Sequence, residues 1–165
     1  VVPPMGNNFA NTDGTWSDES VAYYAERAKG QFGLITIEAT VVHKGAKGGP
    51  RKPCLYDDNS IESLKKITDA CHAEGAKVSI QLQNAGPEGN AKNAGAPIEA
   101  ASAIPSVYGK DTPVEVPTEK VYELVKRLWR CSGACHESRS RRCRDSYGSR
   151  LPGKFFYFPV GQINV

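Results

Sequence analysis

The run LITIEATVV, residues 34–42, most constrains what this chain can fold into. It is β-branched and too continuous for a strand with one wet face, so both faces are expected to be covered, as in a parallel sheet. VSIQLQ, residues 78–83, is a second strand, and each run follows a helical pattern. In the first pattern Ser17 is the expected cap. Asp18 and Glu19 favour the helix dipole, Val21, Tyr24, Ala25 and Ala28 share a face, and Gly30 closes the helix. In the second, Ser60 is the expected cap, Ile61, Leu64, Ile67 and Cys71 recur at helical spacing, and Gly75 marks the stop. VVPPM, ended by Gly6 and Asn7, reads as a short buried strand. Strand, helix, strand, helix, strand with short joints predicts α/β architecture built from βαβ units with right-handed crossovers.

Asn84 to Pro117 is rich in Gly, Ala, Pro and Asn and too long for a simple connection, which predicts a functional or disordered loop. Thr118 then caps a helix carrying Val121, Leu124 and Val125 on one face, and the sequence changes character directly afterwards. Residues 1–126 hold two arginines and eleven lysines, with 13 basic against 16 acidic residues. Residues 127–150 hold seven arginines, no lysine and three of the five cysteines, and 127–165 carry 8 basic against 2 acidic residues. The net charge of +3 therefore averages two unlike parts. The expected organisation is a globular unit over 1–126 and an aberrant, irregular, poorly ordered Arg/Cys-rich tail over 127–165.

A length of 165 residues allows one domain. No apolar run approaches the roughly 20 residues of a membrane span, and no signal-peptide pattern opens the chain, so a cytoplasmic protein without a membrane partner is expected. The start at Val1 without an initiator Met places the expected N-terminus upstream. Cys54 and Cys71 are too few for a disulfide framework. Cys131, Cys135, His136 and Cys143 lack a paired C-x-x-C knuckle and sit among repelling arginines, so no metal site is expected. A basic arm for nucleic acid is the alternative reading of the tail, because clustered Arg attracts phosphate and Trp129, Tyr147, Phe155, Phe156, Tyr157 and Phe158 can stack on bases. No known module's spacing accompanies them, and nucleic acid is not the expected partner.

Ligands of parallel α/β sheets sit at the carboxyl ends of the strands, which singles out Pro4–Gly6, Glu38–Thr40 and Gln81–Gly86. Gln81 and Gln83 point the same way along a strand, and a buried amide needs partners for its donors and its acceptor. Either the backbone of a loop or a flat ring with adjacent C=O and N–H groups satisfies Gln81.

Four segments in order, VVPPMG, FGLITIEAT, HAEGAKVSIQLQNAG, and SAIPS followed by VPTEKVYELVK, resemble the flavin-dependent Old Yellow Enzyme family. The likeness is strongest to its branch of bacterial NADH:flavin oxidoreductases and 2-enoate or 2,4-dienoyl-CoA reductases. The resemblance implies the N-terminal half of a (β/α)8 TIM barrel with FMN at its mouth. It sets Pro4, Met5, Gly6 and the Ala39 backbone against the isoalloxazine ring and gives the pyrimidine edge to Gln81. Two departures stand out. Gly6 occupies a position where many members carry Thr or Cys, leaving backbone N–H alone, and Gln83 and Asn84 follow Gln-Leu where relatives often have histidine.

The family implies that NAD(P)H reduces FMN, which then passes hydride to the β-carbon of a small α,β-unsaturated carbonyl substrate. Its catalytic segment, a stretch like FGDAAxRAxxAGADAVEIHxAHGYL, should follow the Thr118 helix and is absent in frame, so no catalytic residue is assigned. His43, in a Gly/Lys loop, and His72, inside a helix, read as solvated or structural. Back-translated with free third bases and read one base later, Arg139–Ser146 (RSRRCRDS) gives GADAVEI and the start of a His codon. Arg127 onward yields VFGDAAVRAMKA in the same way. A one-base slip after Lys126 is therefore expected, leaving a truncated and inactive fragment. A barrel needs roughly 250 residues to close, so weak or absent FMN binding by the fragment is expected.

Overall fold

The structure, a computed structural model, describes residues 1–109 and 111–126, together with the backbone of Phe155–Phe156. Helix α1 (Asp18–Lys29) is capped by Ser17, whose hydroxyl accepts the Ser20 N–H at 3.2 Å. It leads into β1 (Leu34–Val41), α2 (Asn59–Ala73) and β2 (Lys77–Gln83). β1 and β2 pair in parallel, as their apolar runs predict. Val78, Ile80 and Leu82 join Ile35 and Ile37 in the main core, against Tyr24 and Ala28 of α1 and Leu64, Ile67 and Cys71 of α2. The opposite face carries short polar side chains, with the Thr36 and Ser79 hydroxyls 2.8 Å apart.

The expected first strand is reduced to one residue. Val2 bridges Ile35 in parallel, donating to the Leu34 carbonyl at 2.8 Å and accepting from Thr36 N–H at 3.0 Å. Pro3 and Pro4 have no N–H with which to extend the ladder. Two of the expected helix signals are also displaced. The left-handed residue after α1 is Gln31 (φ 62°) rather than Gly30 (φ −69°). α2 starts before Ser60, which is buried, and the Asp57 carboxylate takes the Asn59 N–H at 3.0 Å. Gly75 holds φ 80° just past α2, a conformation that favours glycine.

The segment from Asn84 to Pro117 is built, not open. It holds a 3-10 turn (Gly86–Glu88), the short helix α3 (Ala91–Ala94), and a two-stranded parallel sheet of β3 (Glu99–Ala100) and β4 (Val114–Glu115). The Asn90 side chain caps α3 through the Asn93 N–H at 3.0 Å, and Asn93 Nδ2 donates to the Gly48 carbonyl at 3.1 Å. Helix α4 covers residues 118–126. Its first turn closes on the Pro117 carbonyl, so Thr118 is inside the helix and not its cap. β5 (Phe155–Phe156) runs parallel to β2 opposite Gln81 and Leu82, giving the order β1-β2-β5. Cys131, Cys135, His136, Cys143 and the tail arginines lie outside the described residues.

Candidate functional site at the tips of the first strands

The β1–β2 ladder runs in step from Leu34↔Lys77 to Ile37↔Ile80 and resumes at Thr40↔Leu82 and Val41↔Gln83. Glu38 and Ala39 thus stand opposite the single residue Gln81. A two-against-one bulge breaks the ladder at the carboxyl ends of the strands, as bulges beside binding sites often do. The Glu38 N–H donates to the Tyr24 hydroxyl at 3.0 Å, and Thr40 Oγ1 donates to the Glu38 carbonyl at 2.8 Å. Burial pushes the Tyr24 phenol well above its usual range.

The bulge fixes Glu38, the one charged residue of the first strand run and fully buried at 0% exposure. Its Oε2 accepts the Asn7 N–H at 3.3 Å and lies 3.7 Å from Lys52 Nζ. Its Oε1 is buried with no hydrogen-bond partner among the described residues. Burial raises the Glu38 pKa, and the Lys52 charge and the Asn7 N–H pull it partly back.

Lys52 arrives on a segment laid along the tip of β1. The Pro53 carbonyl takes the Val41 N–H at 2.8 Å, the Leu55 N–H returns to the Val41 carbonyl at 2.8 Å, and the Cys54 N–H reaches the Gly14 carbonyl at 2.8 Å. The ammonium lies over Gly6, where a Cβ would stand 2.8 Å from Lys52 Nζ and 3.7 Å from Glu38 Oε2. Three chain segments, at residues 4–7, 38–39 and 81, therefore meet at one end of the sheet. Gly6 and Met5 are exposed, and Pro4, Ala39 and Gln81 are half-buried. The Gln81 side chain makes no hydrogen bond with the described residues, so the expectation that it bonds loop backbone finds no partner there.

His43 is elsewhere and structurally engaged. Its Nδ1 accepts the Gly45 N–H at 3.1 Å, and its Nε2 lies 3.8 Å from Glu99 Oε2, while Glu99 Oε1 takes Lys120 Nζ at 2.6 Å. The histidine thus ties the end of β1 to β3 and α4. His72 is half-buried within α2. Among the described residues no cluster of three or more His, Cys, Asp or Glu is arranged to hold a metal ion, and no helix is long and apolar enough to cross a membrane. Sequence reasoning marked Glu38 as a strand-tip residue and missed Tyr24, Asn7 and Lys52 around it. The signal present in the sequence was a lone carboxylate inside an apolar run, which seldom stays buried without partners.

The chain is 32% identical over 126 residues to an NADPH dehydrogenase of Bacillus velezensis, covering 76% of this chain and 36% of that protein. It is 37% identical over 126 residues to a metal reductase of Desulforamulus reducens, covering 76% of this chain and 18% of that protein. The chain thus spans well under half the length of either relative. The structure of the Old Yellow Enzyme homologue from Zymomonas mobilis superposes with a TM-score of 0.78 at 23% identity, over 86% of this chain and 42% of that one. This likeness carries the fold, part of a (β/α)8 barrel comprising its N-terminal strands and helices. The profile of the NADH:flavin oxidoreductase / NADH oxidase family matches residues 1–139, and the chain belongs to that family.

Proposed function

We propose that this chain is the N-terminal part of an FMN-dependent oxidoreductase that draws hydride from NAD(P)H and reduces the activated double bond of small α,β-unsaturated carbonyl compounds. Pro4, Met5, Gly6, the Ala39 backbone and Gln81 form the wall against which the isoalloxazine ring rests. The observation that carries the reading is Gln81. Its half-buried amide stands opposite a strand bulge, at the ligand-binding end of a parallel sheet, with no hydrogen-bond partner among the described residues.

The residues present fit one edge of the cofactor. A primary amide offers both a donor and an acceptor to a ring edge with adjacent C=O and N–H groups, and Gly6 exposes backbone without a side chain. Barrels commonly hold phosphate with the loops after their last strands, which are not among the described residues. When bound, the flavin supplies the hydride chemistry. The chain's own contribution is to orient the ring edge and to screen one side of it from water. No described residue is assigned to the substrate carbonyl, since His43 is engaged with Gly45 and Glu99. The boundary at Lys126 and the one-base slip are proposed on composition and back-translation, although the family match runs on to residue 139.

Titrating FMN fluorescence with the full chain tests the ring-edge assignment. Weak, saturable quenching that Gln81→Leu reduces roughly tenfold supports it, the loss expected for one or two buried hydrogen bonds. Saturable quenching that Gln81→Leu leaves unchanged sinks it, and a stoichiometrically yellow preparation would overturn the fragment reading. The nucleotide sequence across codon 126 decides the slip: intact, well-supported bases would remove it.

A further inference from the structure

Lys52 is a cation whose donors are not spent. Its ammonium is 3.7 Å from Glu38 Oε2, a long ion pair that engages at most one of its N–H groups. Its side chain is 24% exposed, while the carboxylate behind it is wholly buried with one oxygen unsatisfied. The pair therefore holds a partly desolvated ammonium at the rim with two N–H groups to offer beyond the one turned to Glu38. That ammonium occupies the space a side chain at position 6 would take, because a Cβ on Gly6 would lie 2.8 Å from Nζ. Glycine at position 6 and lysine at position 52 are consequently one arrangement. Residue 6 gives up its side chain, and a charged donor arrives from 46 positions further along the sequence.

We propose that Lys52 is a cofactor-binding residue which donates to the carbonyl edge of the flavin ring from the place a residue-6 side chain would fill, with Glu38 as its positioning residue. The proposal rests on the flavin reading above. It differs from a role in phosphate binding, because the ammonium sits with Gly6 and the strand bulge, the segments assigned to the ring.

The full chain is titrated with FMN and separately with riboflavin, which lacks the phosphate, following flavin fluorescence. Lys52→Met weakens both ligands about tenfold, the value of a charge-assisted hydrogen bond. Gly6→Ala weakens both to a similar extent by displacing the ammonium. The double variant is no weaker than either single one, a non-additivity that two independent structural defects would not give. A second measurement needs no variant: flavin slows acylation of Lys52 in the unaltered chain, read by mass spectrometry, and leaves Lys44 and Lys77 unchanged. Saturable flavin quenching with less than a twofold effect of Lys52→Met and no protection of Lys52 overturns the proposal while the flavin reading stands. An effect on FMN but not on riboflavin assigns Lys52 to the phosphate and also overturns it. If saturable quenching is unmoved by Lys52→Met and by Gln81→Leu alike, the flavin reading fails and takes this proposal with it.

Discussion

The Glu38 N–H donates to the Tyr24 hydroxyl at 3.0 Å, joining the bulge in β1 to helix α1. A bulged residue loses its ladder partner, and a buried N–H without an acceptor costs about 1–3 kcal/mol. Tyr24 is 1% exposed, and its oxygen supplies that acceptor from within the helix-packed core. Tyr24→Phe keeps the ring's packing and removes the acceptor. Urea unfolding of the variant is expected to show a loss of about 1–3 kcal/mol with an unchanged m-value.

Glu38 gives the chain a pH signature. Its folded pKa is raised, chiefly by burial, above an unfolded value of about 4.3. Raising the folded pKa favours the protonated form, so its contribution is complete below the unfolded pKa and is lost as pH rises through the folded one. Glu38→Gln is expected to flatten this decline. The variant should match or exceed the parent in stability at pH 7 and lose that advantage near pH 4. A parent that gains stability over the same rise in pH, relative to the variant, would contradict the assignment.

Gly14 is held at φ 96°, and a Cβ there would stand 2.7 Å from Cys54 Sγ and 2.8 Å from Cys54 Cβ. Both the backbone conformation and the space exclude a side chain. Gly14→Ala is expected to lower stability by roughly 2–4 kcal/mol, combining left-handed strain with overpacking. Because Cys54 N–H bonds the Gly14 carbonyl two residues beyond Lys52, the same change should raise the acylation rate of Lys52.

Burial pushes the Cys71 thiol up to about 11 and also raises Cys54. The thiolate is the reactive form, so at pH 8 only a very small fraction of Cys71 is poised to react. Alkylation at that pH, read peptide by peptide, is expected to leave Cys71 unmodified in the folded chain and to label it fully in denaturant. Rapid labelling without denaturant would show that α2 does not pack as described.

How much of this was legible in the sequence follows from the range over which each signal acts. Helices α1 and α2 and strands β1 and β2 were readable because apolar period is local: Leu64, Ile67 and Cys71 at helical spacing, and Val78, Ile80 and Leu82 at strand spacing, all reach the core. Pro4, Met5, Gly6, Ala39 and Gln81 were placed at strand tips by rule and by resemblance. The bulge was not readable, because it is a property of two strands in register and neither carries a mark of it alone. Lys52 was missed for a similar reason, since nothing near it in sequence points to Gly6. Ser60 was misread because the helix begins one residue earlier, at Asn59, with Asp58 at the cap position and the Asp57 carboxylate holding the Asn59 N–H in the turn before it.

The alternation along β2 has a wider effect. Val78, Ile80 and Leu82 belong to the helix-packed core, while Ser79 and Gln81 occupy the alternate positions. Sliding the strand by a single residue would drive amides into the aliphatic layer and turn three hydrocarbons toward the face that carries Thr36 and Ser79, a doubly unfavourable exchange. Correct folding and the orientation of Gln81 are thus proofread by one and the same alignment, so a chain that folds here at all does so with that amide already sighted.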